Sequence, residues 1–135
     1  MAFFSKTLYL FSEVHGTVLL NGQPVQGVEV AQDYHWHWGE QKRSTTVTTD
    51  AQGRFHFAEV TGTSWTANLL PHQPVIMQTI ALRYLGKEYS GWSHGKDNYD
   101  RLGEVAGRPL QLVCDLADDA VARPELRTFG ICTLR

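Results

Sequence analysis

Histidine and tryptophan alternate through Tyr34-His35-Trp36-His37-Trp38, directly after Asp33, and this run is the first place to look for chemistry. On an extended strand, side chains two residues apart share a face, with Cα atoms about 7 Å apart. Asp33, His35 and His37 would then line one polar face, and His56 from a nearby outward face could complete three ligands for a metal such as zinc. Sequence places no cysteine and no second carboxylate beside them. An ordinary polar face with no metal and no cofactor is therefore the expectation. Trp36 and Trp38 share the parity of Val28 and Val30, which extends the core face towards one end of the domain. Aromatics at an open end are also typical interface anchors.

The most mixed stretch lies further on, with Trp92, Lys96, Asn98, Tyr99 and Asp100 in a loop that follows a strand. Rigid β scaffolds usually bind through such loops. These five residues, with Trp36 and Trp38, form the expected partner-binding set; a self-packed loop plugged by Trp92 and Tyr99 is the competing reading. Asp97, Asp100 and Glu104 offer oxygens, but Tyr99 and Arg101 stand where a calcium loop needs ligands. Enzyme signatures are missing. The chain has no Gly-x-Ser-x-Gly elbow, no His-Glu-x-x-His and no glycine-rich phosphate loop. Asp118 and Asp119 are sequence neighbours, so a shared target for both is not implied. Cys114 has core-facing parity, where a thiol is usually inert. His15, Arg54 and His56 could meet in space, though nothing in their spacing demands it. No catalytic residue is expected.

The elements that must position these residues are short strands. With 135 residues, 42% of them apolar and 19% charged, the chain suits one folded domain with one core. A net charge of −2 gives no electrostatic footprint for nucleic acid or an anionic membrane. At the N-terminus the apolar run Leu8 to Phe11 is too short for a signal-peptide core, no small-residue cleavage site follows, and no stretch approaches the ~20 apolar residues of a membrane span. A cytoplasmic protein is expected. Cys114 and Cys132 lie far apart and outside any Cys-x-x-Cys motif, so free thiols are the expectation and a disulfide would require an oxidising compartment.

Taken in order, Leu8 to Leu20 reads as a first strand region, with Val14, Gly16, Val18 and Leu20 on one face. Asn21-Gly22 supplies a tight turn. From Gly27 the even positions Val28, Val30, Tyr34, Trp36 and Trp38 carry apolar bulk along one strand of up to about 12 residues. Ser44 to Thr49 reads as an edge strand, and Asp50-Ala51-Gln52-Gly53 as a type I turn joining it to an antiparallel partner with Phe55 and Phe57 inward. Thr61 to Gln73 has room for one short helical turn. Pro74 to Leu85, the segment from Glu88 to Trp92, and Leu110 to Leu116 add further strands. Ala117 to Thr128 reads as loop, and Phe129 to Leu134 as a short final strand. These signals give seven or eight strands in an all-β, two-sheet sandwich. Residues 1–135 form a single domain, with 1–10 as an N-terminal extension or first strand and 117–135 as a C-terminal tail.

The pattern Gly16-x-Val18, Asn21-Gly22-x-Pro24-Val25-x-Gly27-Val28-x-Val30, then Thr49-Asp50-x-x-Gly53-x-Phe55-x-Phe57, resembles carboxypeptidase-regulatory-like, transthyretin-like β-sandwich domains. The resemblance covers about a third of the chain. It implies a seven-stranded sandwich, commonly an accessory or adhesive module. Among transthyretin-like proteins, small purine-pathway hydrolases end in a Tyr-Arg-Gly-Ser tail that completes their site. This chain reads Ile131-Cys132-Thr133-Leu134-Arg135 there, which argues against that activity. Phe11-Ser12-Glu13-Val14-x-Gly16, Gly86-Lys87-Glu88-Tyr89-x-x-Trp92 and Cys114-Asp115-Leu116 look like small bacterial single-domain proteins, some of which accompany toxin or secretion systems.

The resulting expectation is a non-enzymatic protein-binding sandwich. In its most concrete form it is an immunity or accessory protein for a bacterial secreted toxin, with another protein as its partner and neither nucleic acid nor membrane. A small transthyretin-like hydrolase and a carbohydrate-binding module are the alternatives.

Overall fold

Alternating sequence becomes alternating burial along the main strands. The computed structural model describes residues 6–135. The strands are β1 (Thr7–Phe11), β2 (Val14–Leu20), β3 (Gln23–Pro24), β4 (Glu29–Trp36), β5 (Gln41–Thr48), β6 (Arg54–Phe57) and β7 (Val60–Thr63). After the short helix α1 (Trp65–Leu69) come β8 (Ile76–Tyr84), β9 (Lys87–Lys96), β10 (Leu110–Asp115), β11 (Val121–Arg123), β12 (Thr128–Gly130) and β13 (Cys132–Leu134). The part of the expected N-terminal extension at residues 1–5 lies outside the described residues; β1 occupies the rest of it. Among the described residues no helix is long and apolar enough to cross a membrane.

The protein is all-β and sandwich-like. One sheet runs β13-β10-β2-β3, with β6 also pairing β2; another runs β11-β12-β9-β8-β4-β5, and β1 and β7 form a separate pair. Val14, Val18, Phe55, Phe57, Leu110 and Leu112 from the first sheet join Val30, Tyr34, Trp36, Ile80 and Leu82 from the second in one buried cluster. Burying these faces against each other supplies the main driving force for the fold.

Several expected boundaries change. More strands are present than the seven or eight expected, because segments as short as β3 form ladders of their own. The first strand region is two strands. At its break the Ser12 N–H and hydroxyl both donate to the Glu104 carboxylate, at 2.8 and 2.6 Å, and so leave the ladder. β4 ends at Trp36, so Trp38 sits in the turn before β5 and is 37% exposed rather than continuing the core face. The Asp50–Gly53 turn forms, with the Gly53 N–H donating to the Asp50 carbonyl at 2.9 Å, but it does not close a hairpin. It carries the chain from β5 in one sheet to β6 in the other. Residues 117–128, expected to be loop, contain β11.

Long-range pairing organises the first sheet. β2 and β10 run parallel, in register from Leu110 opposite Val14 to Asp115 opposite Leu19. β6 flanks β2 on its other side, with Phe55 opposite Gly16. The Phe55 ring occupies the space a Cβ at Gly16 would need, so glycine here lets an aromatic cover the strand backbone. A second close approach sets the final crossing. Gly130, at φ 142°, packs on the Gly91 carbonyl, and the Ile131 N–H donates to the Ser90 carbonyl at 2.9 Å. The chain thereby leaves β12 in one sheet and enters β13 in the other.

Cys114 and Cys132 are not free thiols. They stand opposite each other on β10 and β13, with Cα atoms 4.1 Å apart, and form a disulfide. The expectation failed because it judged sequence separation alone, whereas antiparallel pairing of the last strand brings the two into contact. The bond closes a loop of 18 residues, for which loss of chain entropy in the unfolded state gives a stabilisation of about 3 kcal/mol. A Cys114→Ala/Cys132→Ala variant should lose about that much in urea unfolding, and added reductant should lower the midpoint of the native chain but not of the variant.

Candidate functional site

The residues expected to bind a partner are mostly internal. The Lys96 side chain is buried, with its ammonium donating to the carbonyls of Tyr9 (2.7 Å), Asn98 (2.9 Å) and Asp100 (2.9 Å). Burial pulls its pKa down, and the neighbouring Glu104 carboxylate opposes that shift. Glu104 itself accepts from Ser12 and from the buried Gln78 amide at 2.9 Å. Asn98 donates to the Gly103 carbonyl at 2.8 Å and accepts from the Asp100 N–H at 3.1 Å, which closes the loop on itself. Tyr99 is partly buried, and its hydroxyl meets the Trp36 indole N–H at 3.0 Å and His72 at 2.8 Å. Burial raises its pKa, against the lowering effect of the Trp36 hydrogen bond.

Trp92 is only 2% exposed and Trp36 only 3%, so neither reaches a partner. They follow the parity of their strands into the core. Of the expected set, only Asp100 and Trp38 are exposed. The self-packed reading of this loop is the one the geometry supports.

Trp38 lies across a small surface cluster. Its ring stacks on His72 with centroids 4.0 Å apart, and its N–H donates to the Thr66 hydroxyl at 3.2 Å. His35 and His37 do share a face, with ring centroids 4.2 Å apart. His56 cannot join them, because β6 lies in the other sheet.

His56 has different neighbours: His15, a meeting that the sequence allowed without demanding it, and Glu13, which sequence reasoning did not add. In the antiparallel β2–β6 register His15 stands opposite His56. Val14 and Gly16 face inward, so both imidazoles emerge on the outer face, with ring centroids 4.6 Å apart. Glu13 reaches both: one carboxylate oxygen is 2.6 Å from His56 Nε2 and the other 3.5 Å from His15 Nε2. The His56 hydrogen bond holds the Glu13 carboxyl below its usual range. The same face carries Thr17 and Arg54 in the next register row, then Gln111 and Arg135, around a groove of about 470 Å³. The signal was present as outward parity at residues 15, 54 and 56, but it could not be read without knowing that β2 pairs with β6.

One further surface stands out. β5 pairs with β4 over its whole length, from Gln41 opposite Trp36 to Thr48 opposite Glu29, without a bulge. No strand lies beyond it among the described residues, and all but one of its residues are exposed. This is an open sheet edge.

Fold and site together define an all-β sandwich with a groove beside β2, β6 and β10, reached also by Val47 and Thr48 of β5, and a free sheet edge along β5. Residues 14–119 match the profile of the DUF6795 family, described as a domain of unknown function, and the chain belongs to that family. No curated protein and no solved structure matches it.

Two measurements check the internal role of the residues at the end of β9. Lys96→Met should cost about 3 kcal/mol or more, because three carbonyls lose a charged donor; a surface binding residue would leave stability nearly unchanged. His94, buried beside the Arg127 carbonyl at 3.0 Å, has its pKa lowered mainly by burial. The unfolded chain therefore takes up this proton first as pH falls below about 6.5, and folding stability declines there. His94→Gln should flatten the pH dependence of the unfolding midpoint between about pH 7 and pH 5.

Proposed function

We propose that this chain is a non-enzymatic protein-binding β-sandwich that receives its partner along β5. The observation that carries the reading is the bulge-free, exposed edge from Gln41 to Thr48. Sheet edges that are not blocked offer a row of backbone donors and acceptors, and an extended partner segment can add to them as a further strand. Lys42 and Arg43 at one end give such a partner charge selectivity, and the threonines that follow present little bulk.

An immunity or accessory role beside a secreted bacterial toxin is the most concrete form of this proposal, and the sequence resemblance to transthyretin-like modules is its rationale. A home where thiols oxidise fits the buried Cys114–Cys132 bond better than the reducing cytoplasm expected from the sequence.

The groove around His15, Arg54 and His56 favours the alternative of a small hydrolase, since it gathers two imidazoles and a guanidinium on one surface. Turnover of 5-hydroxyisourate by the purified chain would support that alternative over the binding reading.

The edge-strand proposal is tested with Thr45→Lys. Thr45 lies opposite the buried Gln32, so its side chain is on the inward side of the edge, and a charge there blocks strand addition with little cost to the fold. The product of the neighbouring gene should be retained by the native chain in a pull-down, and the variant should bind it about tenfold more weakly, about 1.4 kcal/mol. Equal affinity for native and variant chains would remove β5 as the binding surface.

A further inference from the structure

We infer that Glu13, His15 and His56 form a site for a divalent cation of zinc-like preference, with an open coordination position beside the groove that carries Arg54 and Arg135. Among the described residues, this is the one group of three His, Cys, Asp or Glu side chains whose ligand atoms converge, all within 4.8 Å of one another. Imidazole and carboxylate ligands at about 2.0–2.2 Å from a tetrahedral zinc lie about 3–3.5 Å from each other. His15 Nε2 is 3.5 Å from one Glu13 oxygen and His56 Nε2 is 2.6 Å from the other, so shifts of about an ångström bring three ligand atoms that already lie within 4.8 Å of one another to that spacing.

The convergence is directional as well as close. Both histidines turn Nε2 towards the same carboxylate, one to each oxygen. The two histidines stand directly opposite on paired strands, and their neighbours Gly16 and Phe55, or Val14 and Phe57, are buried pairs in the same register. Both histidines are thus held by sheet backbone, which keeps ligand geometry better than a loop does, and Glu13 stands beside them in the break between β1 and β2.

Three protein ligands leave one tetrahedral position open, the arrangement of exchangeable rather than purely structural zinc. All three ligands are exposed, so that position is reached from solvent. The groove on one side offers Arg54, Gln111 and Arg135, and a second depression on the other side is lined by Glu59, Arg101 and Pro109. Arginines beside an open metal position suit an anionic co-ligand.

His35 and His37 provide the internal control. Their rings are closer, with centroids 4.2 Å apart, yet His35 Nε2 is 3.9 Å from Glu40 and among the described residues no group of three ligand atoms forms around them.

The test is calorimetric titration of zinc chloride into the untagged full chain at about pH 7.5, with cobalt absorption as a second readout of ligand geometry. The native chain should bind one zinc at micromolar concentrations. His15→Ala and His56→Ala should each weaken binding about tenfold or more, in step with the loss of the tetrahedral cobalt bands. These side chains are exposed, and matching melting curves will show that the variants are folded. A His35→Ala/His37→Ala variant should bind zinc as the native chain does, and Thr45→Lys should too, which separates this site from the edge-strand reading. Absence of binding at micromolar zinc, survival of binding in the His15→Ala/His56→Ala double variant, or its loss in the His35→Ala/His37→Ala variant would each overturn the inference.

Discussion

A lysine ammonium sealed inside the protein sets a constraint that many other features obey. Lys96 ends β9 and holds carbonyls from β1 and from two points of the following loop. A buried cation is costly unless every donor is used and an opposite charge stands near. Glu104 supplies that charge and in turn fixes Ser12 at the break between β1 and β2, while Gln78 bridges from β8 to Glu104 and to the Leu10 carbonyl. One polar network therefore ties the N-terminal strand, the six-stranded sheet and the long loop together. It closes one end of the core where apolar side chains alone would leave loop carbonyls without donors.

Local signals in the sequence were sound where a single strand or turn decides the outcome. Alternation through Val28, Val30, Tyr34 and Trp36, the inward pair Phe55 and Phe57, and the turn at Asp50 to Gly53 all follow from periodicity and backbone preference. What sequence does not carry is pairing between distant strands. The parallel β2–β10 ladder, the passage from β5 across to β6, and the β10–β13 contact that creates the disulfide all depend on contacts remote in the chain. A hairpin signal names only its neighbours.

The unexpected burial of Trp36, Trp92 and Lys96 has the same origin. Trp92, Lys96 and Tyr99 look like a surface cluster when composition alone is read, because aromatic and charged residues together are typical of binding loops. Burial reverses that meaning: the aromatics plug the core and the charge serves backbone carbonyls. Conversely, Glu13, His15 and His56 were individually unremarkable. The sequence allowed His15 and His56 to meet, with Arg54, but only the antiparallel register that sets residue 15 opposite residue 56 requires it, and Glu13 joins them only in the fold.

The Cys114–Cys132 bond has a consequence for how this molecule meets proteases. The chain it encloses runs through residues 117–127, most of which are exposed and poorly covered by other elements. Exposed connections are where nicking concentrates. A cut there would leave both fragments covalently joined and β13 still seated against β10, so the nicked molecule would keep its mass until reduced. The segment that crosses between the two sheets is thus expendable as an intact peptide, because the sulfur bridge carries the connection in its place.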